Sequence, residues 1–271
     1  MSPEDFERLQ GLMISRAGFR LTRDRIRLAE HRLAPVARRE SYESVDAMLA
    51  ALWARPVASL GWAVIEALLN PETWFRRDRA PFSVFERELI PALGRARTDR
   101  PVRVWSAGCS TGQETWSLAM GALAADARVE VLGTDLSSRA IEKARAGVYT
   151  GFEIQRGLSA QAMLRWFVSS EDQWRAGPEL TQVVRFARSN LLDEPTDDAR
   201  FDVIFCRNVL GDMEPSRRAR VLEGLEQRLM DDGCLFLGMD ERIEDDTVAF
   251  RPVHGRQGVY VKSPASLRRA A

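Results

Sequence analysis

The chain has 271 residues and equal numbers of acidic and basic side chains, so its formal net charge is zero. A chain of this length forms one large domain, or a small domain and a medium-sized one. Zero net charge argues against general nucleic-acid binding, which needs a cationic surface. The apolar runs are shorter than the roughly 20 residues of a membrane-spanning helix, and residues 1–5 are polar, unlike a secretory signal. We therefore expect a cytoplasmic protein without membrane insertion.

The three cysteines, Cys109, Cys206 and Cys234, lie far apart in the sequence and form no Cys-x-x-Cys pair. This spacing predicts neither a zinc site nor a disulfide framework. Cys206 and Cys234 stand in apolar runs, where a cysteine usually serves as a small buried hydrophobic residue. We expect no metal site.

Residues 1–80 predict a small helical domain. Apolar residues recur at helical spacing over residues 5–16. Thr22 and Ser44 are suitable N-caps for a second and a third helix, and residues 61–69 predict a fourth.

Residues 81–271 predict an α/β domain, because short apolar strands alternate with helices and so imply a mostly parallel, doubly wound sheet. A terminal hairpin adds an antiparallel edge, and we expect the tail after residue 263 to fray. The predicted strands are residues 102–106, 129–134, 183–187, 201–206 and 234–237, followed by the hairpin at 248–253 and 258–262.

A glycine-rich turn joins the first strand to the next helix, and it reads Gly-Cys-Ser-Thr-Gly between Gly108 and Gly112. Glycines let the backbone approach a ligand closely, and a helix N-terminus offers free N–H groups, so the arrangement is typical of nucleotide-binding sites. Asp135 follows Gly112 by 23 residues, at the end of the next strand. An acidic residue at that place binds the ribose hydroxyls of an adenosine cofactor.

The same turn has two competing interpretations. A dinucleotide enzyme would have glycine in place of Ser110, and Glu114 at the helix start would repel a pyrophosphate. Glu114 would instead attract the cationic amino-acid moiety of S-adenosylmethionine. The turn also satisfies the Gly-x-Ser-x-Gly pattern of serine hydrolases, with His254 and Asp202 or Asp240 following in suitable chain order. That interpretation lacks an oxyanion-loop glycine cluster, and His254 falls within the terminal hairpin.

Several segments, in order, resemble the CheR-type chemotaxis receptor methyltransferases. Residues 71–78, Pro-Glu-Thr-Trp-Phe-Arg-Arg-Asp, are similar to the family pattern Asn-Glu-Thr-x-Phe-Phe-Arg-(Glu/Asp). Residues 108–114 resemble its Gly-Cys-Ser-Thr-Gly-Glu-Glu loop, and residues 205–209 match its Phe-Cys-Arg-Asn-Val. Asn-Leu-Leu at residues 190–192 and Gly-Met-Asp-Glu at residues 238–241 parallel two further family motifs.

The resemblance implies a class I, Rossmann-like methyltransferase domain after a small all-α domain, with a small β-subdomain inserted at about residues 170–188. It implies S-adenosylmethionine as cofactor and S-adenosylhomocysteine as product. Arg77 and Thr73 fall on the residues of the methyl-transfer centre, and Arg77 is our candidate for orienting the acceptor carboxylate. A surface ion pair of Arg77 with Asp78 or Glu72 is the alternative. The implied cofactor contacts are Thr73, Arg77, Ala107, Gly108, Gly112, Glu114, Asp135, Asn190, Leu191, Asn208 and Val209.

By resemblance, the acceptors are glutamates on the cytoplasmic helices of methyl-accepting chemotaxis receptors, modified to γ-glutamyl methyl esters. Arg25, Arg32 and Arg39 lie seven residues apart on the second helix, and we expect them to steer these acidic helices to the enzyme. A solvated helix face is the alternative. We expect a monomer, and no tight tethering to a receptor peptide because the predicted β-subdomain is short.

Three residues depart from the family pattern. Arg76 replaces a phenylalanine, Gln113 replaces a glutamate, and Asp212 stands where a tyrosine lines the family's active site. These departures leave two other functions open: a non-catalytic regulator that binds S-adenosylmethionine or its product, and a methyltransferase with a different acceptor.

Overall fold

The computed structural model describes residues 1–194 and 197–264, which form two compact units. The first unit comprises Met1–Asn70 and Asp212–Arg218, and the second comprises Pro71–Gly211 and the residues from Ala219 onward. The division precedes the expected residue 80 because the segment after Asn70 packs on the sheet unit, where Ser110 Oγ donates to the Pro71 carbonyl at 2.9 Å. The expected fraying beyond residue 264 falls outside the described residues.

The first unit is helical. Ser44 caps its helix as expected, because its hydroxyl accepts a hydrogen bond from Ala47 N at 3.0 Å. Thr22 precedes a 3₁₀ turn rather than capping a helix, and its side chain makes no capping bond. The residues after Gly211 join this unit through Arg20 N, which donates to the Asp212 carbonyl at 2.9 Å, and through an isolated β-bridge between Phe19 and Met213. The helices are α1 (Pro3–Ala17), α2 (Ile26–Arg39), α3 (Val45–Ala54) and α4 (Ala58–Leu68).

The second unit alternates strands and helices, as predicted. Its described residues form the strands β1 (Val102–Ala107), β2 (Val129–Asp135), β3 (Val148–Thr150), β4 (Phe167–Ser170), β5 (Gln173–Ala176), β6 (Val184–Arg188), β7 (Phe201–Cys206), β8 (Leu229–Leu237), β9 (Phe250–Pro252) and β10 (Val259–Lys262). Its helices are α5 (Ala80–Val84), α6 (Ile90–Ala96), α7 (Gln113–Ala124), α8 (Ser138–Ala146), α9 (Gly151–Gln155), α10 (Ala160–Trp166) and α11 (Pro178–Val183); α12 (Pro215–Arg228) begins in the segment that groups with the first unit. A π-helical turn, Phe85–Leu89, joins α5 to α6.

Seven strands form one sheet in the order β6-β2-β1-β7-β8-β10-β9. The first five are parallel, and β10 and β9 add the expected antiparallel hairpin at the edge. All six residues of β7 are buried, as suits a central strand covered on both faces. The chain builds outward from β1 through β2 to β6 and then returns to the other side of β1 with β7. The carboxyl ends of β1 and β7 therefore flank the switch point where open α/β sheets bind ligands.

The inserted β-subdomain lies earlier in the chain than expected. Strands β3, β5 and β4 form a separate antiparallel sheet, so this subdomain spans residues 148–176 rather than about 170–188. The expected range joined two different sheets: Trp174 belongs to β5, whereas Phe186 lies on β6 and pairs with Gly133 in the main sheet. Helix α11, which begins after Gly177, separates them.

No helix in the described parts of the chain is both long enough and apolar enough to cross a membrane.

Candidate functional site

The glycine turn between β1 and α7 is pinned to the end of the neighbouring strand. The amides of Gly108 and Cys109 both donate to the Thr134 carbonyl at 2.8 Å. Gly112 has φ +94°, and a Cβ there would lie 2.9 Å from Cβ of Ala144. Only glycine meets both conditions without strain. The turn is therefore held as a fixed platform at the carboxyl edge of the sheet.

Asp135 ends β2 beside this turn. Its Oδ2 accepts a hydrogen bond from Ser110 N at 2.8 Å, and its Oδ1 accepts one from Ser137 N at 2.9 Å. The Ser189 amide, just after β6, donates to the Asp135 carbonyl at 3.0 Å. Two backbone donors thus fix the carboxylate orientation, and a carboxylate has acceptor positions beyond these two for ribose hydroxyls.

Asn208 and Val209, which follow β7, meet the glycine turn across the switch point. A Cβ on Gly108 would lie 2.5 Å from Cγ2 of Val209, so the two segments touch because residue 108 is glycine. Asn208 adopts φ +59°, a conformation that asparagine tolerates better than most residues. The structure thus brings together two motifs that lie about a hundred positions apart in the sequence.

The Asn208 loop is held by one buried carboxylate. Glu241 Oε2 accepts hydrogen bonds from the amides of Asn208 at 2.8 Å and Gly238 at 2.7 Å. Its Oε1 accepts from the amides of Leu210 at 2.8 Å and Gly211 at 3.1 Å. Four backbone donors on one side chain make Glu241 the anchor of the loop that presents Asn208 and Val209.

Glu114, in the first turn of α7, is buried and paired. Its Oε1 accepts from Ser106 Oγ at 2.8 Å, and its Oε2 accepts from Arg207 Nη1 at 3.2 Å. Burial raises the pKa of the Glu114 carboxyl above its ordinary value, while Arg207, Ser106 and Arg77 oppose the shift. Arg207 also donates to Asp78 Oδ2 at 2.6 Å. One buried guanidinium therefore joins the 71–78 motif to the carboxylate beside the glycine turn.

Arg77 and Thr73 lie on the loop that Asp78 ends, and both are half-buried. Arg77 Nη1 donates to the carbonyl of Glu72 at 3.1 Å, and its guanidinium lies 4.5 Å from the ring centroid of Trp74. Its Nε is buried and has no hydrogen-bond partner within the described chain. The surface ion pair with Asp78 or Glu72 does not form in this structure, where the side chain of Asp78 pairs with Arg207 instead.

Asn190 and Leu191 follow β6 and line a cleft of about 210 Å³. Trp105 of β1 and Leu225 and Arg228 of α12 also face this cleft. Asn190 Oδ1 accepts a hydrogen bond from Leu192 N at 3.1 Å, which orders the loop. The loop continues from Ser189, whose amide donates to the backbone carbonyl of Asp135, so these residues follow directly on a contact with the end of β2.

Two of the departures from the family pattern have local partners. Arg76 turns to Glu86, with Nη1 3.1 Å from Oε2 and Nη2 2.8 Å from Oε1. Burial raises the pKa of Glu86, and Arg76 opposes the shift. Gln113 is buried and its Oε1 accepts from Thr111 Oγ1 at 2.8 Å. Within the described residues, neither Arg76 nor Gln113 therefore bonds to a side chain that is proposed to contact the cofactor.

The third departure and the three docking candidates belong to the helical unit, and each arginine has a partner there. Arg25 Nη1 is 3.4 Å from Asp212 Oδ1, and both side chains are about half exposed. Arg32 Nη1 donates to the carbonyls of Leu68 and Leu69 at 3.0 and 3.1 Å, so it caps the end of α4. Arg39 Nε donates to Glu40 Oε1 at 3.0 Å.

The fold and these groups define a class of protein. The seven-stranded sheet, in which only β10 is reversed and lies next to the edge strand β9, is that of the class I, Rossmann-like methyltransferases. The residues fit S-adenosylmethionine: Gly108 and Gly112 allow close approach, and Asp135 stands fixed for a ribose diol. Glu114 supplies an anionic group for an ammonium, where a pyrophosphate would be repelled. A dinucleotide and a hydrolase site are both less consistent with this set.

Comparison with known proteins agrees. Residues 71–259 match the family model described as the S-adenosylmethionine-binding domain of CheR methyltransferases. A chemotaxis protein methyltransferase from Vibrio parahaemolyticus is 30% identical over 270 residues, which cover 97% of this chain and 98% of that protein. The chemotaxis protein methyltransferase Cher2 of Pseudomonas putida is 30% identical over 250 residues, with 88% and 90% covered. The probable biofilm formation methyltransferase WspC of Pseudomonas aeruginosa is 34% identical over 217 residues, with 77% and 49% covered.

The chain belongs to the CheR methyltransferase family and is an S-adenosylmethionine-dependent methyltransferase.

The groups that hold this site together were not predicted from the sequence. Arg207 stands within the matched pentapeptide and Asp78 ends the first motif, but no sequence signal pairs them. Glu241 was likewise placed in a family motif by its sequence, but no function was assigned to it. A buried charge within each motif was the available signal, because a buried arginine or glutamate requires a partner.

Proposed function

We propose that this chain transfers the methyl group of S-adenosylmethionine to the γ-carboxylate of glutamates on the cytoplasmic helices of chemotaxis receptors. The observation that carries the proposal is Arg77, a half-buried cation on the 71–78 motif with a buried Nε that lacks a partner among the described residues. A buried donor without a partner costs free energy unless a ligand satisfies it. An acceptor carboxylate supplies that partner. The names of the nearly full-length relatives support the same activity.

This methyl transfer depends more on the positioning of the two reactants than on acid–base catalysis. A glutamate is already ionised near neutral pH, so no strong general base is required. When bound, S-adenosylmethionine supplies a methyl group on a sulfonium, a leaving group that no protein acid needs to protonate. Arg77 holds the carboxylate oxygen toward the site, and such orientation supplies much of a rate acceleration. The indole of Trp74, against the Arg77 guanidinium, limits access of water to the pair.

Within this proposal, Asp135 binds the ribose, Glu114 binds the ammonium of the methionine moiety, and Asn190 and Leu191 lie against the adenine. The remaining contacts are assigned to Thr73, Arg77, Ala107, Gly108, Gly112, Asn208 and Val209. Asp135→Ala tests the set most directly, because its carboxylate is fixed by two amides and serves nothing else in the proposed reaction. We expect calorimetric binding of S-adenosylhomocysteine to be lost. The free energy of unfolding should fall by about 1–3 kcal/mol, because the amides of Ser110 and Ser137 lose their acceptor.

The reaction is tested by transfer of tritium from labelled S-adenosylmethionine to purified cytoplasmic fragments of chemotaxis receptors. Methyl esters release the label as methanol in base, which distinguishes them from N-methyl groups. We expect base-labile label with the wild type and little with Arg77→Gln. Because Arg77 is also an assigned cofactor contact, both proteins are compared at S-adenosylmethionine concentrations that saturate their cofactor sites. Cofactor binding without base-labile label on any receptor fragment would refute the glutamate assignment and favour the non-catalytic regulator.

A second acceptor class has one observation in its favour. The highest identity among the relatives named above, 34%, is to a protein named for biofilm formation rather than chemotaxis. A receptor fragment from a biofilm-signalling system therefore belongs in the same assay. Stronger base-labile label on that fragment would assign the acceptor to that system, with the same chemistry.

A further inference from the structure

Arg156 lies outside every matched motif, in the segment between α9 and α10, yet its guanidinium reaches the first motif. Its Cζ is 4.0 Å from the ring centroid of Trp74, and Cζ of Arg77 is 4.5 Å from the same centroid. Two cations against one indole lie within about 10 Å, the Debye length in 0.1 M salt. The positive charges of Arg77 and Arg156 therefore both act on an anion that binds next to Trp74.

The placement of Arg156 is built into the fold. The next residue, Gly157, has φ +113°, and a Cβ there would lie 1.8 Å from the carbonyl oxygen of Phe75. Only glycine permits this contact, so the segment is seated directly on the backbone of the 71–78 motif. Ile154 and Leu158, on either side, are buried and fasten the segment to the core.

The charges around Trp74 do not balance. Arg156 Nη2 pairs with Glu72 Oε1 at 3.1 Å, and both side chains are about half exposed. Arg77 donates to the Glu72 carbonyl, which is uncharged, and no carboxylate lies within ion-pair distance of Arg77 in the described chain. We call Glu72, Trp74, Arg77 and Arg156 the Trp74 cluster. It carries two guanidiniums and one carboxylate, and hence a net positive charge.

The pair between Arg156 and Glu72 is exchangeable. An ion pair between half-exposed side chains contributes little to stability, so an incoming carboxylate with good geometry can replace Glu72. A guanidinium offers a planar fork that binds carboxylates bidentately, and its contact with the indole keeps that fork ordered. Arg156 therefore has the chemistry of a second carboxylate site beside Arg77.

We propose that Arg156 is a specificity-determining residue that binds an acidic side chain of the acceptor next to the glutamate oriented by Arg77. The proposal rests on the proposed function, because it takes the acceptor to be an acidic helix. It adds a requirement: a preferred methylation site has a second carboxylate near the modified one, and the Trp74 cluster selects for it.

The chain offers a matched control. Cζ of Arg165 lies 4.3 Å from the ring centroid of Trp166, and Arg165 pairs with Glu179 at 2.8 Å. Both side chains of that pair are about half exposed. Arg165 thus combines the same aromatic contact and the same kind of ion pair, but it lies outside the Trp74 cluster.

The experiment measures kcat and KM for receptor fragments, with calorimetric Kd for S-adenosylhomocysteine, in Arg156→Gln, Arg156→Lys and Arg165→Gln. We expect Arg156→Gln to raise KM by ~10-fold, equivalent to about 1.4 kcal/mol, with kcat and Kd little changed. Arg156→Lys keeps the charge without the fork and should recover part of the loss. Arg165→Gln should match the wild type. Glu72→Gln removes the competing carboxylate and should lower KM.

Neutralising single acidic residues near the methylated glutamate completes the test. At least one of these acceptor variants should raise the KM of the wild-type enzyme. With that acceptor variant, Arg156→Gln should have the same KM as the wild-type enzyme, as expected of a coupled pair. An unchanged KM in Arg156→Gln, an equal effect of Arg165→Gln, or no acceptor variant that couples would overturn the assignment of Arg156. Absence of base-labile label with the wild type would instead overturn the proposed function, and this inference with it.

Discussion

Arg207 holds Glu114 in a buried ion pair, with Nη1 3.2 Å from Oε2 and the arginine side chain 1% exposed. The guanidinium continues to Asp78, so the loop that carries Arg77 and the helix that carries Glu114 share one cation. Breaking such a pair by removing one partner is strongly destabilising, because the other charge stays buried. This pair therefore ties the loop of the 71–78 motif to helix α7.

The raised pKa of Glu114 predicts pH-dependent cofactor binding. A protonated Glu114 cannot neutralise an ammonium, so affinity for S-adenosylhomocysteine should fall as the pH falls through the raised pKa, beginning above the ordinary value of 4.5. Calorimetric titrations from pH 7 downward measure this. Glu114→Gln should bind ~10-fold or more weakly at pH 7 and lose this pH dependence. A profile that is the same in both proteins would show that Glu114 does not bind the ammonium.

Arg76→Phe, which restores the family residue, should destabilise this chain. It leaves Glu86, whose side chain is 20% exposed, without its partner, and we expect a loss of about 1–3 kcal/mol at pH 7. Because burial raises the folded-state pKa of Glu86, its ionisation lowers stability as the pH rises through that value, and the loss should shrink toward pH 4.5. Urea unfolding of Arg76→Phe, Glu86→Leu and the double variant Arg76→Phe/Glu86→Leu measures the coupling. The double variant should recover most of the loss, and a simple sum of the two single effects would contradict the pairing.

The parts of the site that the sequence predicted share one property: a local pattern specifies them. Strand β7 matches its predicted bounds because five of its six residues are apolar, and all six are buried. The glycine turn and Asp135 follow from strand–turn–helix order. Strand β3 has only three residues and no alternation of its own, so its place in the small sheet depends on pairing with β5.

The contacts between motifs required the structure. Arg207 and Asp78 are 129 positions apart, and Glu241 reaches Asn208 across 33 positions. A sequence shows that a charge stands in an apolar run, but the tertiary fold decides which of many partners it meets. The partner of Arg76 could not be predicted for the same reason. Nothing in the sequence distinguishes Glu86 from other charged helix residues, and it meets Arg76 only because α5, the π-helical turn and α7 pack together.

Glu241→Gln should weaken cofactor binding without any direct contact to the cofactor. The amide nitrogen of glutamine would face two of the four backbone N–H groups that the carboxylate now accepts, and each unsatisfied donor costs about 1–3 kcal/mol. We expect a lower urea midpoint and a ~10-fold weaker Kd for S-adenosylhomocysteine, because the loop with Asn208 and Val209 loses its anchor. The neighbouring exposed residue supplies the control, and Asp240→Asn should leave both quantities unchanged. Wild-type affinity in Glu241→Gln would show that the loop is set by other contacts.

Two helix glycines should respond to alanine with opposite signs. A Cβ on Gly224 of α12 would meet no atom within 4 Å, whereas a Cβ on Gly121 of α7 would lie 2.5 Å from Cγ of Glu86. Glycine inside a helix is less stable than alanine by roughly 0.5–1 kcal/mol, so Gly224→Ala should raise the free energy of unfolding by about that amount. Gly121→Ala forces Glu86 to move, and Glu86 is held by Arg76, so overpacking should lower stability by about 1–3 kcal/mol. Urea unfolding at pH 7 measures both variants.

Shortening the obstructing side chain in Gly121→Ala/Glu86→Ala should remove the clash, and Gly121→Ala should then no longer lower stability relative to Glu86→Ala alone. If Gly121→Ala were as stabilising as Gly224→Ala, α7 and the π-helical turn would not be packed as closely as the structure shows.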